Sequence, residues 1–251
     1  MGGDGVALVE HVMGIDFAEA ARLIERVIGA TRYCPKVDGD HRNTDPLKTW
    51  REALPSIRST AGEAYFTGHR RLGKLTDAEV APLRFHPTLW HWPTQERWPA
   101  IVSLVALCDG TALCSHMTFV KPDGRGKAPV EKPRLFPKGG KTDGGGVWFG
   151  TPDPEREFLV AEGIESSLSA MRLLGLEAGC AALSDGGITR LVLPPEARRV
   201  RIFADHDELG WGLAAAVEAR RRWENEGRAV TISIAHTVGE DANDLWRRRH
   251  G

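Results

Sequence analysis

No apolar run in this 251-residue sequence approaches the roughly 20 residues that a membrane-spanning helix needs, which excludes a helical membrane protein. The amino terminus lacks the basic start and apolar stretch of a secretory signal, so the cytoplasm is the expected location and no membrane partner is expected. Cysteine is scarce: Cys34, Cys108, Cys114 and Cys180 are the four present, and none forms a Cys-x-x-Cys pair. That argues against a disulfide framework or a zinc knuckle and leaves buried thiols as the expected role. Tyrosine is scarcer still, with only Tyr33 and Tyr65. Neither charge dominates: 33 Lys and Arg face 34 Asp and Glu, a formal net charge of −1. A nucleic-acid surface must then come from local clusters such as Arg220–Arg221–Arg222 or Arg247–Arg248–Arg249, which read equally as solvated helix faces. No GxxxxGK[ST] phosphate loop occurs, which excludes a fused P-loop helicase.

What is present fits an ordinary globular chain, 41% hydrophobic and 27% charged, large enough for one big or two small domains. Residues 4–29 carry a helical pattern in which Phe17, Ala20, Ala21, Ile24, Val27 and Ile28 share one face. Asp16 and Glu19 stand at capping-box spacing, and Gly29 closes the helix. Residues 31–48 are polar and read as a linker. From 49 to 156 short helices and strands mix. AGEAYFTGHRRLG reads as a helix, and WPAIVSLVALCDG and TALCSHMTFV as two strands joined at Asp109–Gly110. The Gly-, Pro- and Lys-rich stretch that follows, through Gly150, reads as an ordered loop.

From residue 157 the rhythm changes to strand–helix alternation. Strands are expected at Phe158–Ala161, Ala178–Leu183, Arg199–Ala204 and Ala229–Ala235, with helices at Ile164–Leu174 and Leu209–Glu226. That alternation implies a parallel sheet. Ligands of such sheets gather at the carboxyl ends of the strands. There the first strand ends at Glu162 and the third at Asp205 and Asp207, followed in each case by Gly and a helical stretch. If the third strand runs on through Asp207, both aspartates point to one face, where their repulsion calls for a cation such as Mg2+. Each of these acids reads alternatively as a helix-capping group. Glu240, Asp241 and Asp244, after the last strand, could join them or simply cap the helix that begins at DLWRRR.

Order and spacing together are more specific than any single motif. VAEGIESSLSA, ALSDGGITRLVLP, IFADHDELGWGLAAA and EDANDLW, across residues 157–247, resemble the Toprim domain of phage- and plasmid-encoded DNA primases. AYFTGHRRLG, LRFHPTLWH and the Gly-Gly before Val-Trp-Phe resemble the region that precedes Toprim in those primases. Residues 3–29 look like the tail of their zinc-binding domain, without its metal ligands. The resemblance implies an α/β fold: a Rossmann-like Toprim sheet, mostly parallel with helices on both faces, over residues 157–251. A smaller α+β domain (49–156), the linker (31–48) and the zinc-domain remnant (1–30) precede it, and zinc is not expected.

Carried over by motif, Glu162 takes the place of the family's catalytic glutamate and Asp205 and Asp207 that of its metal-binding Asp-x-Asp. Asp241 and Asp244 match the late acidic motif, and Glu162 would share in metal binding. Where many cellular primases have Asp four residues after the glutamate, this sequence has Ser166, with Glu165 just before it. Lys127, Lys132, Arg134, Lys138 and Lys141 are placed on the nucleotide and template path. The implied activity is Mg2+-dependent synthesis of short RNA primers on single-stranded DNA from nucleoside triphosphates, with Mn2+ as an alternative metal and a replicative helicase as a possible partner. Replication of a phage, plasmid or other mobile element is the implied setting. A Toprim nuclease and a non-catalytic nucleic-acid-binding subunit are the alternatives. A topoisomerase is disfavoured by the scarcity of tyrosine and the chain length, and a dehalogenase-type phosphatase by the shortness of the chain after Asp207.

Overall fold

The computed structural model describes residues 12–14 and 45–250. Apart from the helical pair Val12–Met13, the expected helix at 4–29, the zinc-domain remnant and most of the linker lie outside the described residues.

The upstream part is an antiparallel sheet with short helices. Its strands β1 (Leu83–His91), β2 (Glu96–Ala106), β3 (Ala112–Phe119) and β4 (Arg134–Leu135) lie in that order. β2 and β3 form the hairpin expected from Asp109–Gly110, where the Asp109 carboxylate accepts the Thr111 N–H at 2.8 Å. Ahead of the sheet come α1 (Lys48–Glu52), α2 (Ala61–Ala64) and α3 (Asp77–Val80). α2 starts on a Thr60 cap and α3 on a Thr76–Glu79 capping box. The helix read from AGEAYFTGHRRLG is α2 continued as a π-helical turn, Tyr65–His69. There the Arg70 N–H reaches back five residues to the Tyr65 carbonyl, at 2.9 Å. The wider turn keeps Tyr65 and Phe66 both buried and sends Arg70 towards the second sheet.

That second sheet has the order β5-β7-β6-β8-β9, formed by β5 (Val147–Phe149), β6 (Glu157–Ala161), β7 (Gly179–Ala181), β8 (Arg199–Ala204) and β9 (Ala229–Ile234). All pairings are parallel except β5 with β7. Its helices are α4 (Ile164–Leu174), α5 (Asp185–Arg190), α6 (Trp211–Asn225) and α7 (Ala242–His250). β6 shows why both faces are covered. Leu159 and Ala161 join a core with Ile164 and Leu168 of α4 and Ala242 of α7. Phe158 and Val160 join another with Ile188 of α5 and Ala216, Ala219 and Trp223 of α6. Side chains alternate along a strand, so a buried parallel strand reads as one continuous apolar run. The Leu159 core continues without a break into Ile57, Tyr65, Phe66 and Val105 of the upstream part.

Three details differ from the sequence reading. Val147–Phe149 pairs into the second sheet, although it lies upstream of residue 157. Residues 185–190, in the stretch after the second parallel strand, form a helix. β8 ends at Ala204, so Asp205 and Asp207 leave the strand and do not share a face by strand alternation.

Candidate active site at the carboxyl ends of the parallel strands

Glu162 is the first residue past β6, Asp205 the first past β8, and Asp241 ends the loop between β9 and α7. All three line one cavity of about 70 Å³, with Arg70, Lys127 and Arg134 also in its wall. Gly163, Glu165 and Ser166 complete the lining.

The acidic side is crowded. Asp205 is pushed up to about 7 by burial, then by the negative charges of Glu162, Asp241 and Asp185, with Arg134 opposing. Glu162 is raised by burial and then by Asp185, and Asp185, first residue of α5, by burial and then by Asp207. Asp205 and Asp185 each hold a buried Oδ1 that no donor reaches. Carboxylates that repel one another while their buried oxygens lack donors are what a hard, oxygen-seeking cation relieves. The donors are carboxylates without His or Cys, which suits Mg2+ or Mn2+. Among the described residues no three Asp, Glu, His or Cys side chains form a ready ligand set.

The other predicted acids serve the helices. Asp207 accepts the N–H groups of Leu209 (3.0 Å), Trp211 (3.1 Å) and Gly212 (2.8 Å), anchoring the start of α6. The Gly212 bond leads in holding its carboxyl below the ordinary range. α6 sits so close that a Cβ on Gly212 would meet the Asp205 carbonyl oxygen at 2.6 Å. Asp241 and Asp244 cap α7 reciprocally: Asp241 Oδ1 accepts the Asp244 N–H at 2.9 Å and Asp244 Oδ2 the Asp241 N–H at 3.4 Å. Asp241 still turns its Oδ2 to the Ser166 hydroxyl, 3.3 Å away, whereas Asp244 is exposed and outside the cavity lining.

Of the basic residues expected on the nucleotide path, Lys127 and Arg134 enter the cavity wall. Lys132, Lys138 and Lys141 are exposed and lie outside it. The Lys132 and Lys141 carbonyls accept from His91 Nε2 (2.9 Å) and the Cys114 thiol (3.3 Å). Sequence reading missed Arg70 and Tyr65, and left Glu165 without a role. Glu165 Oε1 accepts the Tyr65 hydroxyl at 2.7 Å and pairs with Lys127 at 3.2 Å and Arg70 at 3.6 Å. A signal existed: α4 begins IESSLSA, and the small residues around Glu165 mark a turn packed closely on every side, where a carboxylate must be paired.

Residues 22–149, just over half of the chain, match the model of a family described as a domain of unknown function, DUF7146. The chain belongs to this DUF7146 family. Residues 157–250 match the Toprim domain, so the carboxylate cavity sits between a DUF7146 region and a Toprim sheet. Two solved structures are similar to this chain in fold. One holds the zinc-binding and RNA polymerase domains of the Aquifex aeolicus primase, at 15% identity over 99% of this chain and 68% of that one, TM-score 0.50. The other is the E. coli primase catalytic core, at 15% identity over 81% of this chain and 74% of that one, TM-score 0.51. No curated protein matched the chain. The protein is a primase-like Toprim protein in fold, with a parallel-rich Toprim sheet behind an antiparallel domain. No helix among the described residues is long and apolar enough to cross a membrane.

Proposed function

We propose that the protein is a primase-type nucleotidyltransferase. It would make short RNA primers on single-stranded DNA from nucleoside triphosphates, dependent on Mg2+ or Mn2+, during replication of a phage, plasmid or other mobile element. The observation that carries this reading is the cavity itself: carboxylates from three strand exits face Arg70, Lys127 and Arg134 across a space open to phosphate-sized groups.

Glu162, Asp205 and Asp241 are the residues that would hold the metal. When bound, Mg2+ supplies Lewis-acid stabilisation of the negative charge that builds up as a 3′-hydroxyl attacks an α-phosphorus and pyrophosphate departs. Glu162, whose carboxyl is raised by burial and by Asp185, would complete metal binding or help move the proton of that hydroxyl. Arg134 makes no side-chain hydrogen bond or ion pair among the described residues, so its guanidinium donors are ready for phosphate oxygens. Asp207 fixes the start of α6 and through it the position of Asp205.

The test is incubation with single-stranded DNA, labelled ribonucleotides and Mg2+ or Mn2+, beside an Asp205→Asn control. Metal-dependent oligonucleotide synthesis lost in the control is the expected result. Strand cutting that depends on Asp205 would replace this reading with a nuclease, and DNA binding without either reaction with a non-catalytic subunit.

A further inference from the structure

Glu165 is only 6% exposed, on the first turn of α4, yet it carries a carboxylate. An isolated charge there would be costly, and the surroundings show what offsets it. The Tyr65 hydroxyl, Lys127 Nζ and the Arg70 guanidinium all converge on Oε1. Burial alone would raise this carboxyl, but Lys127, Arg70 and Arg134, with the Tyr65 hydrogen bond, drive it well below the usual carboxylate range. Arg70 is fixed further by donating to the Tyr65 oxygen (2.9 Å) and to Asn243 Oδ1 (3.0 Å). Lys127 makes no other ion pair among the described residues, and its remaining ammonium protons are available to the cavity it lines.

We propose that Glu165 is a positioning residue whose carboxylate holds Lys127 and Arg70 as a cradle for the polyphosphate of a nucleoside triphosphate. The proposal rests on the nucleotidyl-transfer reading and adds to it the residue that builds the anion site. Three cations line the cavity opposite Glu162, Asp205 and Asp241, and among the described residues Glu165 is the one carboxylate of the lining at ion-pair distance from Lys127 and Arg70, so N–H donors remain on that side for a ligand. A dication placed against Glu165 would meet Lys127 and Arg70 at ion-pair distance, so electrostatics assigns this carboxylate to the cations and leaves the metal to Glu162, Asp205 and Asp241.

Lys127 is the member whose charge depends on the arrangement. Burial pulls its pKa down, Glu165 opposes that, and Arg134 and Arg70 add to the fall. His116, buried and neutral, and His69 feel the same ammonium, and Tyr65 stands across Glu165 from it. Without Glu165 the ammonium gives up its proton at lower pH than in the wild type.

The experiment measures binding of sodium tripolyphosphate by calorimetry, without metal, from neutral to alkaline pH. Wild-type protein, Glu165→Gln and the double variant Glu165→Gln/Lys127→Arg are compared at each pH. Glu165→Gln should bind more weakly, by about tenfold or more on the alkaline side, with the fall in affinity starting at lower pH. Lys127→Arg in the same background should restore the alkaline range, because a guanidinium does not deprotonate. An unchanged pH profile in Glu165→Gln, or wild-type protein that does not bind tripolyphosphate, overturns the proposal. So does loss of Mg2+-induced thermal stabilisation in Glu165→Gln, which would make Glu165 a metal ligand. Should Glu165→Gln not fold, Glu165→Gln/Lys127→Met removes both charges together. It should bind weakly with no alkaline fall, and a wild-type profile there overturns the proposal. Tripolyphosphate binding with the expected profile but no primer synthesis would reject the nucleotidyl-transfer reading alone.

Discussion

Asp205 gathers more like charge around it than any other acid in the cavity, and that gives the folded chain a pH signature. Its carboxyl titrates at about 7 when folded and near 3.9 when unfolded, so between those values the folded state holds a proton that the unfolded state has released. Stability therefore falls as pH rises through that window and levels off above it. Thermal unfolding should show a melting temperature that declines from about pH 4 to about pH 7, recovered by Mg2+ at the alkaline end and not at the acidic end. Asp205→Asn should show a shallower decline and little response to Mg2+; an equal Mg2+ response would remove Asp205 from the metal site. Asp205, Glu162 and Asp241 could be read from sequence because each follows an apolar strand or opens a late helix. Glu165 could not be assigned a role in that way, because its meaning lies in a contact with Tyr65, 100 residues away in the chain.

At the scale of elements, α5 is the piece most exposed to small changes. Ser184 caps it by accepting the Gly187 N–H at 2.9 Å, and a Cβ on Gly187 would meet the Ala182 carbonyl oxygen at 1.9 Å. Gly187→Ala must push α5 off the end of β7 and move Asp185 with it. It should lower the unfolding free energy by about 1–3 kcal/mol in urea titrations, with a weakened Mg2+ response. Trp223 makes the contrasting case, fully buried between α6 and the sheet and remote from the cavity lining. Trp223→Ala should cost about 3–5 kcal/mol in the same titration while the remaining folded protein keeps its Mg2+ response. The alternation β6-α4, β8-α6 and β9 was legible because each element is long enough to show a period. β5 and α5 were not, since a three-residue strand and a six-residue helix with two glycines carry no readable period.

The two sheets of residues 45–250 share one apolar interior, and the contacts across it are specific. Trp148 Nε1 donates to the Ala106 carbonyl at 2.7 Å, Arg172 of α4 bonds to the Leu72 carbonyl at 2.8 Å and pairs with Glu79 at 2.9 Å, and Asn243 of α7 donates to the Arg70 carbonyl at 3.0 Å. The Toprim sheet cut at residue 157 loses β5 and the Ile57, Tyr65, Phe66 and Val105 part of the Leu159 core, leaving α4 and α7 as its remaining cover. Expressed alone, residues 157–251 should show no sharp urea transition, whereas residues 45–251 should unfold in one cooperative step. A sharp transition in the shorter piece would mean that the shared interior is dispensable. The order of the two sheets was visible in the change of rhythm at residue 157, but this continuity was not, because both halves spell it in the same apolar letters.

The alternation along β6 also sets which errors the gene can absorb. Replacing Leu159 or Val160 with another apolar side chain alters one of two interiors and leaves the other alone. Deleting a single codon anywhere from Phe158 to Ala161 spares the composition almost entirely, yet it exchanges the inward and outward sets and draws Glu162 back into the sheet. In this strand the count of residues is under tighter constraint than their identity.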